Sequence, residues 1–241
     1  MDAPRIRPAE RDVLLMLLAA SAGSADGWSF FGLGHAFVAN MTGNTVLIGL
    51  AVFQSHGAMF HPLISLASYA IGVAIAAFLT RDVAEGSIWS NAVSRALILE
   101  AILLAGAEAA WAALHGHGLQ VPDRAASPEL NSILCVVAVA IGIQSGAMLR
   151  LKVPGIVTTY ISGTWTTLLT GIVRLATLEK RKPAGEKLQF EERLFLQGCI
   201  IAAYFLSAVL AGWLFGHIPV AVGAVSASSV LLVAAYGILR T

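Results

Sequence analysis

Two stretches of this chain read as copies of one another, and both place polar residues where a lipid-embedded segment should be apolar. The first, SAGSADGWSFFGLGHAFVANMTGNTVLIGLAV, runs from Ser21 to Val52; the second, AVAIGIQSGAMLRLKVPGIVTTYISGTWTTLLTGIV, runs from Ala138 to Val173. Each carries a glycine-flanked polar step, Gly23-Ser24-Ala25-Asp26-Gly27 in one and Gly142-Ile143-Gln144-Ser145-Gly146 in the other. A hydroxyl-Gly-polar triplet follows in each, Thr42-Gly43-Asn44 and Ser162-Gly163-Thr164. Thr42 and Ser162 lie 120 residues apart in a chain of 241, so the unit spans half the molecule. A duplicated unit with polar, glycine-broken helices in lipid marks a solute pathway.

The lipid setting follows from composition. Residues are 57% hydrophobic and only 12% charged, against about 25% charged in soluble domains. A single hydrophobic core stops growing near this length, so burial alone does not absorb that excess of apolar residues. The chain is therefore read as an all-α polytopic membrane protein. Arg5, Arg7 and Arg11 before VLLMLLAASAGSA mimic a secretory signal. Further apolar stretches follow, so this segment is read as a retained first transmembrane helix. Cys135 and Cys199 lie inside apolar runs and read as packing thiols, not a disulfide framework.

A span needs roughly 20 mostly apolar residues. Six stretches qualify, near 12–32, 62–80, 92–114, 130–150, 193–214 and 218–239. Two more, near 34–54 and 152–176, are interrupted by the triplets, and the main linkers are 81–91, 115–129 and 177–192. If all eight cross, 11 of the 15 Lys and Arg residues fall in the cytoplasm; if the interrupted pair turn back, 14 do, with Arg124 alone outside. The positive-inside rule favours six spanning helices plus two re-entrant half-helices. Thr42 and Ser162 serve as N-caps of the half-helices Gly43 to Phe53 and Gly163 to Ala176. The halves, 1–115 and 116–241, then form two inverted repeats of one membrane domain. Eight ordinary crossings in two parallel repeats are the competing arrangement.

Free amides at a helix start need acceptors and cannot stay bare in lipid. Two such starts meeting at mid-bilayer make a pocket for an anionic or carbonyl-bearing solute. Asn40, Thr42, Asn44, Ser162 and Thr164 would line it, or only cap the half-helices and bond one another. Asp26 sits some 21 Å into the span near 12–32 and Gln144 as far into the span near 130–150, entered from the opposite face. They are read as facing each other across the solute site. An intramembrane carboxylate is costly and functional by default. Asp26 and Glu100, mid-way along the span near 92–114, are thus the candidates for proton or cation coupling. The bland alternative for each is a carboxyl held by hydroxyls and backbone groups of its neighbours. Arg95 could partner Glu100 only loosely, and Glu108 approaches the outer surface.

Other chemistries find no foothold. The six histidines fall on the outer side, without the i, i+4 spacing and carboxylate of a specific metal site. No nucleophile elbow, P-loop or dinucleotide fingerprint occurs, so neither an enzyme nor a cofactor is expected. Trp28 and Trp89 are read as interfacial anchors. The basic stretch 174–193 reads as a topology determinant, or as a contact with anionic lipid. The expected partners are the lipid bilayer and a small solute, with a homo-oligomer compatible with the sequence and nucleic acid excluded.

Asp26-Gly27, the aromatic step Trp28-Ser29-Phe30 and Asn40-Met41-Thr42-Gly43-Asn44 resemble a bacterial family. Gly142-Ile143-Gln144, Thr158-Thr159 and Ser162-Gly163-Thr164 are similar to it too. This is the YoaK-like membrane protein family, domain of unknown function 1275, and the resemblance runs from about residue 12 to 239. Two positions depart from its pattern: Ser162 stands where Thr is expected and Ser145 where Asn is expected. Both replacements keep a small polar group. The resemblance implies a six-span protein of the bacterial inner membrane and no established substrate. The functional expectation is a transporter or channel for a small polar or anionic solute, coupled to protons. The alternative is a structural or regulatory membrane protein that moves nothing, and a membrane enzyme ranks third.

Overall fold

The computed structural model describes residues 6–53, 56–84, 88–116, 127–151, 158–159, 161–177 and 184–240. They form eight α-helices: α1 Pro8–Gly32, α2 Met41–Ala51, α3 Phe60–Leu79, α4 Asn91–Gly116, α5 Pro128–Met148, α6 Ile161–Thr177, α7 Ala184–His217 and α8 Ala224–Arg240. Short 3-10 turns, His56–Met59 and Pro219–Ala221, precede α3 and α8. Six helical segments are long and apolar enough to cross a membrane. An all-helical chain is what the bilayer demands, since an α-helix satisfies its backbone groups internally. Ile71, Phe78, Phe205, Leu206, Val209 and Leu232 are exposed, as lipid-facing side chains are.

Local signals set the helix starts. Pro8 opens α1, where its missing N–H is no loss, and Glu10 Oε2 accepts from Arg7 N at 2.8 Å. Ser127 caps α5, with Pro128 at its first position. The polar linker expected at 177–192 is shorter than that. α7 extends through Lys187 and Glu191, which approach to 3.7 Å one turn apart, and Lys, Glu, Gln and Leu all favour helix.

Glycine sets the two closest helix pairs. A Cβ on Gly23 would collide with the Tyr204 carbonyl, and one on Gly27 would press on Ala208 and Ala211. With Phe31 stacked on Phe215 at 5.7 Å, these contacts run α1 parallel to α7. The pattern recurs 119 residues on. Gly142 meets the Tyr69 carbonyl, Gly146 meets Val73 and Ala76, and Arg150 reaches Thr80, so α5 runs parallel to α3. Small residues at such interfaces let backbones approach where no hydrophobic force drives helices together.

The course of α2 follows from contacts along α3. Gly34, at φ +94, lies against the His61 ring, and Ser65 Oγ donates to Phe37 O. Tyr69 shares a cavity with Asn40. The chain from 34 to 40 thus descends beside α3 from 61 to 69, and α2 starts at the depth of Tyr69. It must climb back to reach Phe60, nine residues above Tyr69 or about 14 Å. Its 11 residues span about 16 Å, enough for that return and about half a bilayer.

α6 mirrors this on α7. Ile161 and Ser162 share the cavity with Tyr204, Gly171 packs on Leu194, and Arg174 lies over the Phe190 ring at 5.7 Å. It therefore runs back toward the start of α7. The half-helices point to opposite faces with their N-terminal ends converging, and eight ordinary crossings do not describe the chain. Arg240 lies 3.6 Å from Glu10, so both ends of the described chain share one face. Arg7, Arg11, Arg81, Arg95, Arg150, Arg174, Lys187, Arg193 and Arg240, all the described Lys and Arg residues, belong to that face.

Candidate functional site

A cavity of about 300 Å³ opens where the half-helices begin. Asn40, Thr42, Ser162, Thr159, Tyr69 and Tyr204 supply its polar lining, with Ala39, Met41 and Ile161 the remainder. No charged side chain lines it among the described residues. Its position between half-helix ends is that of a binding site built from interrupted helices.

Asp26 stands one residue behind this wall. Its Oδ1 accepts from the amides of Val38 at 2.8 Å and Ala39 at 2.7 Å, and its Oδ2 accepts from Asn40 N at 3.1 Å. The hydroxyl of Tyr204 donates to Oδ2. The carboxylate is 4% exposed, and all four neighbours are donors. It organises the turn that starts α2, and it meets the cavity through Ala39, Asn40 and Tyr204, which it bonds and which line the wall.

The helix start lies two residues before the expected one. Asn40, not Thr42, caps α2: its Oδ1 accepts from Gly43 N at 3.0 Å, and asparagine caps at least as well as threonine. Met41 N donates to Ala39 O and Asn44 N to Asn40 O. Among the first four amides, that of Thr42 alone has no acceptor among the described residues, and Thr42 lies on the cavity. Ser162 is likewise the second residue of its helix, not the cap; the cap position, 160, lies outside the described residues.

Several candidates lie elsewhere. Asn44 is off the cavity because its amide clasps the Phe37 backbone, Nδ2 donating to O at 2.6 Å and Oδ1 accepting from N at 2.9 Å. Gln144 does not face Asp26. Fully buried, it donates to Leu18 O at 3.0 Å and to Thr158 Oγ1 at 3.1 Å. The glycine contacts instead match Asp26 to Ser145, each three residues past the first glycine of its step. Ser145 Oγ donates to Thr159 Oγ1 at 2.8 Å. Asp26 and the Gln144–Ser145 pair thus do the same job, each gripping the chain 12 to 14 residues ahead where a half-helix is about to start.

Thr164 is buried, its Oγ1 has no hydrogen-bond partner among the described residues, and it is not part of the cavity lining. Glu100, 0% exposed on α4, is also apart from the cavity, and neither carboxyl oxygen has a partner among the described residues. Arg95 is exposed and makes no ion pair with it. Glu108 accepts from Gly223 N at 3.0 Å, at the start of α8, where the helix dipole favours a carboxylate.

Trp28 is no interfacial anchor. It is fully buried edge-on to Trp111, with ring centroids 5.9 Å apart, a contact between distant parts of the chain. Of the histidines, His61 is buried and His35 and His217 are exposed; the side chains of His56, His115 and His117 lie outside the described residues. The described residues contain no group of His, Cys, Asp and Glu suited to a metal.

Reading by residue type missed Tyr69 and Tyr204. The signal was present, since each sits at the middle of an apolar span, whereas membrane tyrosines ordinarily mark interfaces.

The family model described as "Protein of unknown function (DUF1275)" matches residues 14–237. The chain belongs to this family. A curated relative, the "UPF0700 transmembrane protein YoaK" of Bacillus subtilis (strain 168), is 33% identical over 203 residues, 84% of this chain and 83% of the relative. No solved structure matches. The protein is thus a multi-pass membrane protein of the DUF1275 family.

Proposed function

We propose that this protein moves a small polar or anionic solute across the bacterial inner membrane, as a carrier or narrow channel coupled to protons. The observation that carries the reading is the cavity of about 300 Å³ between the two half-helix starts. The Thr42 N–H, without an acceptor among the described residues, and the cavity's polar side chains are groups that a water or a polar solute in the cavity can bond. The basic face would be cytoplasmic by the positive-inside rule, with both termini on it.

Asp26 is the coupling group in this reading. A proton on its carboxylate turns an acceptor oxygen into a donor and breaks part of its hold on residues 38–40. That frees the start of α2 and changes the cavity wall. Tyr204, bonded to Asp26 and lining the cavity, links the two events. Glu100, whose carboxyl oxygens have no partner among the described residues, would be a second proton site.

A second reading, a protein that packs or regulates without transport, draws support from Asp26, Asn44 and Gln144 all bonding backbone. It leaves the cavity unexplained. Asymmetry of the gradient decides between them. Purified protein in liposomes, offered acetate, lactate, glycerol, urea and alanine under an imposed pH gradient, should accumulate a solute uphill. Asp26→Asn should pass it only downhill. Wild-type vesicles no more permeable than empty ones to every solute would end the transport reading.

A further inference from the structure

The cavity holds two tyrosines, of which the chain itself satisfies one. Tyr204 and Tyr69 stand in matching places: the Tyr204 carbonyl receives Gly23 and the Tyr69 carbonyl receives Gly142. Four residues on, Ala208 receives Gly27 and Val73 receives Gly146. Both tyrosines line the same cavity. What faces them differs. Asp26 takes the Tyr204 hydroxyl, whereas its counterpart Ser145 is shorter and is engaged with Thr159 Oγ1 and with Ile141 O at 3.0 Å. The Tyr69 hydroxyl has no hydrogen-bond partner among the described residues. A hydroxyl without a partner in the protein is open to bond whatever fills the cavity.

Resting on the transport reading, we propose that Tyr69 is the residue that hydrogen-bonds the carried solute and sets its specificity. The chemistry selects a solute with a carbonyl or carboxylate oxygen. Such an oxygen accepts from the Tyr69 hydroxyl on one side and the free Thr42 amide on the other. The serine at 145, in place of a second carboxylate, is what leaves Tyr69 available. One half of the molecule thus holds its tyrosine for coupling, and the other offers its tyrosine for binding.

The test uses full-length protein in phosphatidylcholine vesicles, with acetate, lactate, alanine, glycerol and urea as probes. Tyr69→Phe should lower flux of the carried probe about tenfold, the loss of one hydrogen bond, with the melting temperature unchanged. Ser145→Asp places a carboxylate where it captures Tyr69 as Asp26 captures Tyr204, and should lower flux by a similar factor. The double variant should be no slower than Tyr69→Phe alone, because both changes remove the same group. A purely structural tyrosine would not give that coupling. Wild-type flux by Tyr69→Phe, or multiplied losses in the double variant, would overturn the assignment. Absence of flux in the wild type would overturn the transport reading and this assignment with it, a failure distinguishable because it precedes any substitution.

Discussion

Replacing Asp26 separates its structural hold from any role in coupling. In Asp26→Ala the amides of Val38, Ala39 and Asn40 lose their acceptor together. A buried donor left without a partner costs about 1–3 kcal/mol, so with cavity water reaching Asn40 the amides of Val38 and Ala39 sum to roughly 2–6 kcal/mol. In Asp26→Asn the remaining carbonyl oxygen still serves Val38 and Ala39, but without charge. An NH2 group then opposes the Asn40 amide. Two charge-assisted bonds weakened by about 1 kcal/mol each and one donor left unmet give roughly 3–5 kcal/mol. Reversible unfolding in mixed micelles reads both numbers. An Asp26→Asn protein within about 0.5 kcal/mol of wild type would refute the reasoning, because the observed bonds would then carry no net stability.

Other perturbations follow from the same contacts. Tyr204→Phe removes one bond to a charged acceptor and should cost about 1.5–3 kcal/mol by the same unfolding assay. Asn44→Ala frees the Phe37 amide and carbonyl and should destabilise by about 2 kcal/mol, with faster hydrogen exchange at Phe37. Gly142→Val forces a side chain into the Tyr69 carbonyl and should prevent α3 and α5 from closing, seen as a loss of folded monomer on gel filtration; Gly106→Val, where a Cβ meets nothing, should leave it unchanged.

The spans were legible because hydropathy is local, and the breaks because glycine and hydroxyl residues are conspicuous in an apolar run. Even the inverted course of the half-helices could be read from the placement of Lys and Arg. What failed needed contacts between distant segments. Trp28 passes for an interfacial residue until Trp111 is brought against it. Asn44 passes for a pocket residue until the chain folds back and offers Phe37. Asp26 was matched to Gln144 by counting depth from each helix start, yet α1 and α5 begin at different distances from their glycines. The glycine steps themselves, aligned directly, give Ser145. Tyr69 and Tyr204 were overlooked because an aromatic residue within an apolar run looks like more of the same.

Cysteine labelling measures the central geometry directly. Cys135 and Cys199 are first replaced by alanine. Phe53→Cys, Leu149→Cys and Thr177→Cys, all at exposed positions, are then made singly and offered a membrane-impermeant maleimide from each side. With paired half-helices, Leu149→Cys labels from the same side as Thr177→Cys, and Phe53→Cys labels from the opposite side. Labelling of Phe53→Cys from the side of Thr177→Cys, with Leu149→Cys opposed, would mean that both short helices pass straight through and that no paired half-helix ends exist to bind anything.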